Sequence, residues 1–170
     1  MELRGEGLIL REPVADDAST LVDAIQASLD ELARWMPWAV PDYDIEAARA
    51  WIAGETGDAH RFVMVDTDGE VVGSCGLNGI SELNRSGNLG YWVRSDRAGR
   101  GFATASTRLL RRFGHDVADL HRIEVVMSVH NEASRRVAEK AGAKYEGVRR
   151  GALRLAGEFH DAHSWSFLPD

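Results

Sequence analysis

A glycine-rich turn, Arg97-Ala98-Gly99-Arg100-Gly101-Phe102-Ala103-Thr104, stands between a strand-like run and an amphipathic helix and governs what can surround it. Before it, Leu89-Gly90-Tyr91-Trp92-Val93 reads as a strand. After it, apolar residues return at 102, 105, 109, 110, 113 and 117, the spacing of one helical face. Glycines at 99 and 101 let backbone amides converge on an anion without side-chain obstruction. The positive end of the helix and the flanking Arg97 and Arg100 add favourable potential at the same place. A strand, a glycine turn and a helix in this order suit a pyrophosphate.

Two familiar phosphate motifs do not account for the turn. No Gly-x-x-x-x-Gly-Lys string exists anywhere in the chain, which argues against a nucleotide triphosphatase. Gly99-x-Gly101 resembles the start of a dinucleotide fingerprint, but Thr104 replaces its third glycine and Glu124 stands near the start of its strand rather than the end.

Charge supports a local anion site in an acidic protein. The net charge of -7 argues against general nucleic-acid binding. Residues 1–60 carry 13 acids and 4 arginines, whereas residues 61–170 carry 14 acids and 16 basic residues. Arg94, Arg97, Arg100, Arg108, Arg111 and Arg112 are opposed within their own stretch by Asp96 alone. Cys75 is the single cysteine, so an intrachain disulfide and a four-cysteine metal site are both excluded, and its strand context reads as a buried, inert thiol. No apolar run approaches the roughly 20 residues of a membrane span and Met1 to Glu6 lack signal-peptide features, so a cytoplasmic location is expected and no membrane partner.

The remaining elements follow from local pattern. Leu8 to Arg11 is a short strand stopped by Pro13, after which Asp16 or Asp17 can cap a helix through Ala18, Leu21, Val22 and Ile25. A second helical stretch over 31–36 ends in Trp35-Met36-Pro37-Trp38, and Asp44 can cap a third helix carrying Ala47, Ala48, Trp51 and Ile52. Residues 62–65 and 71–73, separated by Asp66-Thr67-Asp68-Gly69, form a hairpin. Then come a strand over 123–127, a helix from Asn131 to Ala141 ended by Gly142, and strands near 143–149 and 158–168. One domain spanning 1–170 is expected, a mixed sheet with helices on its faces. His160 and His163 are three apart in a strand and face opposite sides, so no shared metal is expected.

At this point the chain resembles the GNAT superfamily of N-acetyltransferases, whose acyl-CoA motif falls here on Ala98-Gly99-Arg100-Gly101-Phe102-Ala103. Gly101 and Ala103 match the motif; Ala98 departs from its usual Gln or Arg, with Arg97 next door. The segments 8–11, 35–38, 89–93, 131–134, 141–143, 145–147 and 157–161 look like the RimJ/RimL branch, so the resemblance spans nearly the whole chain. It implies an α/β GNAT fold: a mixed, mostly antiparallel sheet of about 6–7 strands, splayed between the fourth and fifth, with helices on both faces. It implies acetyl-CoA as co-substrate, with Trp92, Val93, Asn131 and residues 97–104 (Arg97, Ala98, Gly99, Arg100, Gly101, Phe102, Ala103, Thr104) contacting it. The acceptor is then a primary amine of a protein amino terminus or a small molecule, and a homodimer is left open. The other readings retained are a different acyl donor such as succinyl-CoA, and a non-catalytic acyl-CoA sensor.

Within that resemblance, a tyrosine seven residues after the Asn protonates the departing thiolate in many members, but here that position is Ala138. The RimJ/RimL branch looks instead to the Ser three residues after it, Ser134, either as that acid or as a plain first-turn helix residue. Asn131 is likewise a pantetheine contact or a helix cap. No base is evident: Gly87-Asn88-Leu89 and Gly151-Ala152-Leu153-Arg154 lack the Glu that relatives place there, and Glu82 reads as a solvated turn residue. An α-amine, titrating near about 8 against about 10.4 for lysine, needs less help, so the missing base favours an α-amine acceptor. Trp35 and Trp38 either wall the amine pocket or pack into the core.

Overall fold

The computed structural model describes residues 1–169 and contains a single eight-stranded sheet in the order β1-β2-β3-β4-β5-β6-β8-β7. The strands are β1 (Glu2–Gly5), β2 (Leu8–Arg11), β3 (Asp58–Val65), β4 (Val71–Ser81), β5 (Ser86–Val93), β6 (Arg122–Ser128), β7 (Lys144–Leu155) and β8 (Glu158–Phe167). Every neighbouring pair is antiparallel except β5 and β6. The helices are α1 (Asp17–Ala27), α2 (Leu29–Leu32), α3 (Ile45–Ala53), α4 (Phe102–Asp116) and α5 (Glu132–Ala141), with a 3-10 turn at Ser95–Arg97.

One strand more than expected comes from β1, which pairs with β2 through a turn at Glu6 and Gly7, both with positive φ (53° and 74°). Such a turn usually announces itself by Asn-Gly or Asp-Gly, and Glu in the first place hides it. The splay expected between the fourth and fifth strands therefore falls between β5 and β6. Residues 31–36 are helical only to Leu32, beyond which Trp35 and Met36 donate backbone bonds to Leu32 C=O as turns.

Strand alternation distributes the core over two faces. Phe62 and Met64 of β3 join Leu8, Leu10, Leu110 and Phe113 beneath α4 and α5. Val63 and Val65, one residue out of phase, join Leu21, Ile25 and Ala48 beneath α1 and α3. Helices on both faces follow directly from that alternation. Caps fix the helix ends that matter: Asp44 Oδ1 accepts from Ala47 N–H at 2.9 Å, Asn131 Oδ1 from Ser134 N–H at 3.1 Å, and Gly142 closes α5 at φ 87°. Asp16 makes no such bond; Asp17 instead accepts from Val14 N–H and from both Arg11 Nη atoms, each at 2.7 Å. Among the described residues no helix is long and apolar enough to cross a membrane.

Gly73 of β4 is where the sheet has least slack. A Cβ there would lie 2.1 Å from the Trp92 carbonyl oxygen and 3.0 Å from Val93 Cα, both backbone atoms that cannot turn aside. Gly73→Ala is expected to lower unfolding stability by about 1–3 kcal/mol through overpacking. Because the displaced segment is the end of β5, the same variant should also weaken binding of the acetyl-CoA that the resemblance implies. Urea denaturation and calorimetry check the two effects; a variant as stable as wild type would show that β5 can move freely there.

Candidate active site

The parallel pair β5/β6 is short: Ser86 faces Arg122, Gly87 faces Ile123 and Asn88 faces Glu124, and there the ladder stops. Beyond it each strand keeps its other neighbour. β5 stays registered on β4 through Val93 opposite Gly73, and β6 on β8 through Ser128 opposite Ala162. The facing edges open into a cleft of about 720 Å³, with Leu89, Gly90, Tyr91 and Trp92 on one wall and Val125, Val126, Met127 and Ser128 on the other. Unpaired strand edges present backbone donors and acceptors, and an extended ligand can add to them as a further strand would.

The glycine turn continues from the end of this wall rather than lining the cleft. Gly99 and Gly101 hold φ of 76° and 87°, and a Cβ on either would meet no heavy atom within 4 Å, so glycine is required there by backbone conformation and the space in front is open. Gly101 is the N-cap of α4 and no side chain caps the helix. Ala105 N–H to Gly101 C=O, 2.9 Å, is its first internal bond, which leaves the Phe102, Ala103 and Thr104 amides without a helical partner. Free amides, a helix N-terminus and open space together fit a pyrophosphate.

The arginines divide. Arg97 Nη1 donates to Asp66 Oδ2 at 3.2 Å, Arg94 pairs with Asp96 at 2.9 Å, and Arg108 pairs with Glu6 at 2.9 Å. Asp66 is only 5% exposed, in the β3–β4 turn, so Arg97 serves first as its counter-ion. Arg100 is exposed and has no such ion pair among the described residues. It is therefore the turn's freely available cation.

Inside the cleft, Tyr91 hydroxyl and Ser134 Oγ are hydrogen-bonded at 2.8 Å. Burial pushes the Tyr91 phenol up to about 12, partly offset by that bond, so it is neutral and able to donate at ordinary pH. Sequence reasoning passed over Tyr91, whose only signal was its place in the strand that approaches the turn. Asn131 and Ser134 both line the cleft, and Asn131 is also the cap of α5. On the other face, the Trp92 and Trp38 rings lie 6.2 Å apart and Trp38 meets Tyr43 at 5.8 Å. Trp35 lines the cleft too, its Nε1 donating to Glu31 at 3.2 Å. Asp42, Asp58, Arg61 and Arg154 supply the charges of the lining. Asn88 Nδ2 donates to Asn78 Oδ1 at 3.2 Å where the ladder ends, so two carboxamides occupy the foot of the wedge. Glu82 is exposed in the β4–β5 turn and does not line the cleft. Cys75 is buried, which raises its thiol and keeps it protonated.

Residues 7–144 match the family model described as an acetyltransferase (GNAT) domain. The chain belongs to the GNAT acetyltransferase family. It is an acyl-CoA-dependent N-acetyltransferase by that membership. This GNAT acetyltransferase is 34% identical over 96% of its length to the putative ribosomal N-acetyltransferase YdaF of Bacillus subtilis, covering 92% of that protein. Its fold matches RimJ of Mycobacterium smegmatis in complex with CoA-disulfide at a TM-score of 0.86 and 26% identity, covering 99% of this chain and 86% of that one. It also matches RimL, a ribosomal L7/L12 alpha-N-protein acetyltransferase in complex with coenzyme A, at a TM-score of 0.90 over 100% and 99% of the two chains; at 22% identity this likeness is of fold.

Gly101→Val tests the turn. A β-branched residue at φ 87° is strained by about 1–3 kcal/mol, so the turn should rearrange and its amides should no longer converge. Calorimetry with coenzyme A is expected to show affinity lost by more than about tenfold while the protein remains folded. Unchanged affinity in the folded variant would remove the turn from the binding site.

Proposed function

We propose that the protein transfers the acetyl group of acetyl-CoA to the primary amine of a peptide amino terminus or of a small molecule, by direct attack within a ternary complex. The observation that carries this reading is the wedge between β5 and β6, with the Tyr91–Ser134 pair inside it and the uncapped start of α4 at its end. In this reading the amides of 101–104 and the Arg100 side chain hold the pyrophosphate, and the pantetheine arm lies along the open edge of β5. Acetyl-CoA supplies the activated thioester carbonyl. A backbone amide of the Trp92–Val93 stretch polarises that carbonyl as charge develops, and Asn131 orients the arm.

Ser134 stands on the first turn of α5, where the helix end favours an anion, and is the proposed donor to the departing thiolate. Tyr91 steadies it. With the phenol donating to Ser134 Oγ, the serine proton is free to point into the cleft. Ser134→Ala is expected to reduce kcat by about 100-fold while acetyl-CoA affinity stays within a few fold. Wild-type turnover at saturating substrates would reduce Ser134 to a helix residue.

The acceptor end is aromatic. Trp35, Trp38, Tyr43 and Trp51 line it, with Asp42 and Asp58 beside Arg61 and Arg154, which suits an amine with an apolar neighbour. Near neutral pH an α-amine gives up its proton far more readily than lysine, by about two pKa units of reference value. In a competition between peptides with a free amino terminus and blocked lysines and peptides of the reverse kind, the first should be acetylated preferentially at about pH 7. Faster acetylation of the lysine peptides would refute the preference.

A further inference from the structure

We infer that Ser128 and His160 form a proton relay that serves as the base of the transfer, with Ser128 receiving the acceptor's proton in the cleft and His160 holding it behind. The inference rests on the acetyl-transfer reading above, for which the sequence offers no carboxylate base.

Register places Ser128 at the reacting centre. The last β5/β6 pair is Asn88 with Glu124, and four residues further along each strand stand Trp92 and Ser128. The two therefore face each other across the wedge, at the level where the Trp92–Val93 stretch is proposed to hold the thioester carbonyl. Ser128 lines the cleft and is only 2% exposed, so its hydrogen bonds are not shared with bulk water. Asp58, a carboxylate of the lining, pairs instead with Asn78 on β4 at the foot of the wedge, and its Oδ2 already accepts from Trp51 Nε1 at 3.0 Å. Along the strands that foot is about 13 Å from Ser128.

The bonds around Ser128 Oγ leave one vacancy of the right kind. His130 N–H donates to it at 3.3 Å, and it is 3.2 Å from His160 Nδ1. A serine hydroxyl has one proton and two lone pairs. With the proton given to Nδ1 and one lone pair taken by His130 N–H, the second lone pair has no partner among the described residues. His160 is opposite Leu153, itself a cleft residue, in the β7/β8 register, so the imidazole shares that face of the hairpin. The charged and titratable groups around it are His130, edge-on at 5.8 Å, Glu158 two residues back on β8, Arg154 beside Leu153, and Asp161, which is turned away to accept Gly151 N–H at 2.8 Å.

The step balances. An acceptor ammonium N–H passes its proton to Ser128 Oγ as the serine proton moves to His160 Nδ1, giving an imidazolium and a neutral amine. The amine lone pair forms the C–N bond as the C–S bond breaks, and the leaving sulfur takes a proton from Ser134. The second proton on the acylated nitrogen replaces the one that Ser134 gave to sulfur, and the imidazolium returns its proton to solvent, so that ammonium and thioester yield amide, thiol and one released proton.

The test is the pH profile of kcat/KM for acetyl-CoA with a lysine-free peptide bearing a free amino-terminal alanine. His160 acts through Ser128 and is a positioning residue, so the profile matters more than a single rate. Wild type should reach its plateau below the titration of the peptide amine. His160→Gln should fall by about 100-fold near neutral pH, then climb with the free-amine fraction and approach wild type once the amine is deprotonated. Ser128→Ala should reproduce that profile, and the double variant should lose no more than either single one. In the protein without substrates, nitrogen-15 NMR should report His160 as the Nε2–H tautomer in wild type and lose that preference in Ser128→Ala. A His160→Gln profile that superimposes on wild type, or additive losses in the double variant, would overturn the relay alone. Failure of wild type to acetylate this peptide, a lysine peptide or a polyamine would overturn the acetyl-transfer reading and the relay with it.

Discussion

The structure depends on a ladder that stops after three pairs. β5 and β6 meet at 86–88 and 122–124 and then part, because each is registered to its far end on a different neighbour. Backbone groups left without partners inside a protein are costly unless something satisfies them. The sheet maintains the opening by packing from both faces. Trp92, buried, is held by the α1–α3 layer and the Trp38 ring, while Tyr91, one residue earlier, is tied to α5 through Ser134. Alternation along a single strand thus anchors one wall of the cleft to two separate layers. Residues from both layers line the resulting cleft, Leu21 and Ile25 of α1 as well as Asn131 and Ser134 at the start of α5.

Electrostatics show how a local count can mislead in detail while holding in outline. The arginines from 94 to 112 face a single acid in sequence, yet Asp66 and Glu6 reach them from turns 31 and 102 residues away. Such pairs are set by topology, which no charge window reveals. Their effect is to steady the end of β5 and the flank of α4 and to leave Arg100 as the turn's free cation. The exposed Arg108–Glu6 pair contributes little stability, about 0–1 kcal/mol, so its value is positional, whereas Arg97 neutralises the buried Asp66 carboxylate.

How far the sequence could be read follows from the range of the interactions involved. The α4 helix, the glycine turn, the Asp44 and Asn131 caps and the hairpin at 66–69 were legible because each is decided within a few residues. Missing strand β1 came from a hairpin whose Glu6-Gly7 turn lacks the usual residue type. The turn at 97–104 and the residues Trp92, Asn131, Ser134, Trp35 and Trp38 are candidates from motif and resemblance, and the fold brings the last five around one cleft. What stayed hidden were contacts between distant strands: Tyr91 with Ser134 across 43 positions, and Ser128 with His160 across 32. Each lone serine or histidine has many commoner explanations, and only register turns them into pairs.

Those two pairs occupy different walls, and the separation has chemical content. Acetyl transfer requires a proton to leave the amine and another to reach the sulfur, at nearly the same moment and within a few ångström. A single group would have to reverse its role during the reaction. Here Ser134, backed by Tyr91 of β5, stands on α5, while Ser128, backed by His160 of β8, ends β6. The parting of the two strands keeps donor and acceptor from hydrogen-bonding to each other in the empty site, since each serine already has its own partner. A neutral tyrosine phenol, pushed up to about 12, has a proton to donate, whereas an imidazole nitrogen offers a lone pair, so the proposed direction of proton flow is set by which residue stands behind each serine.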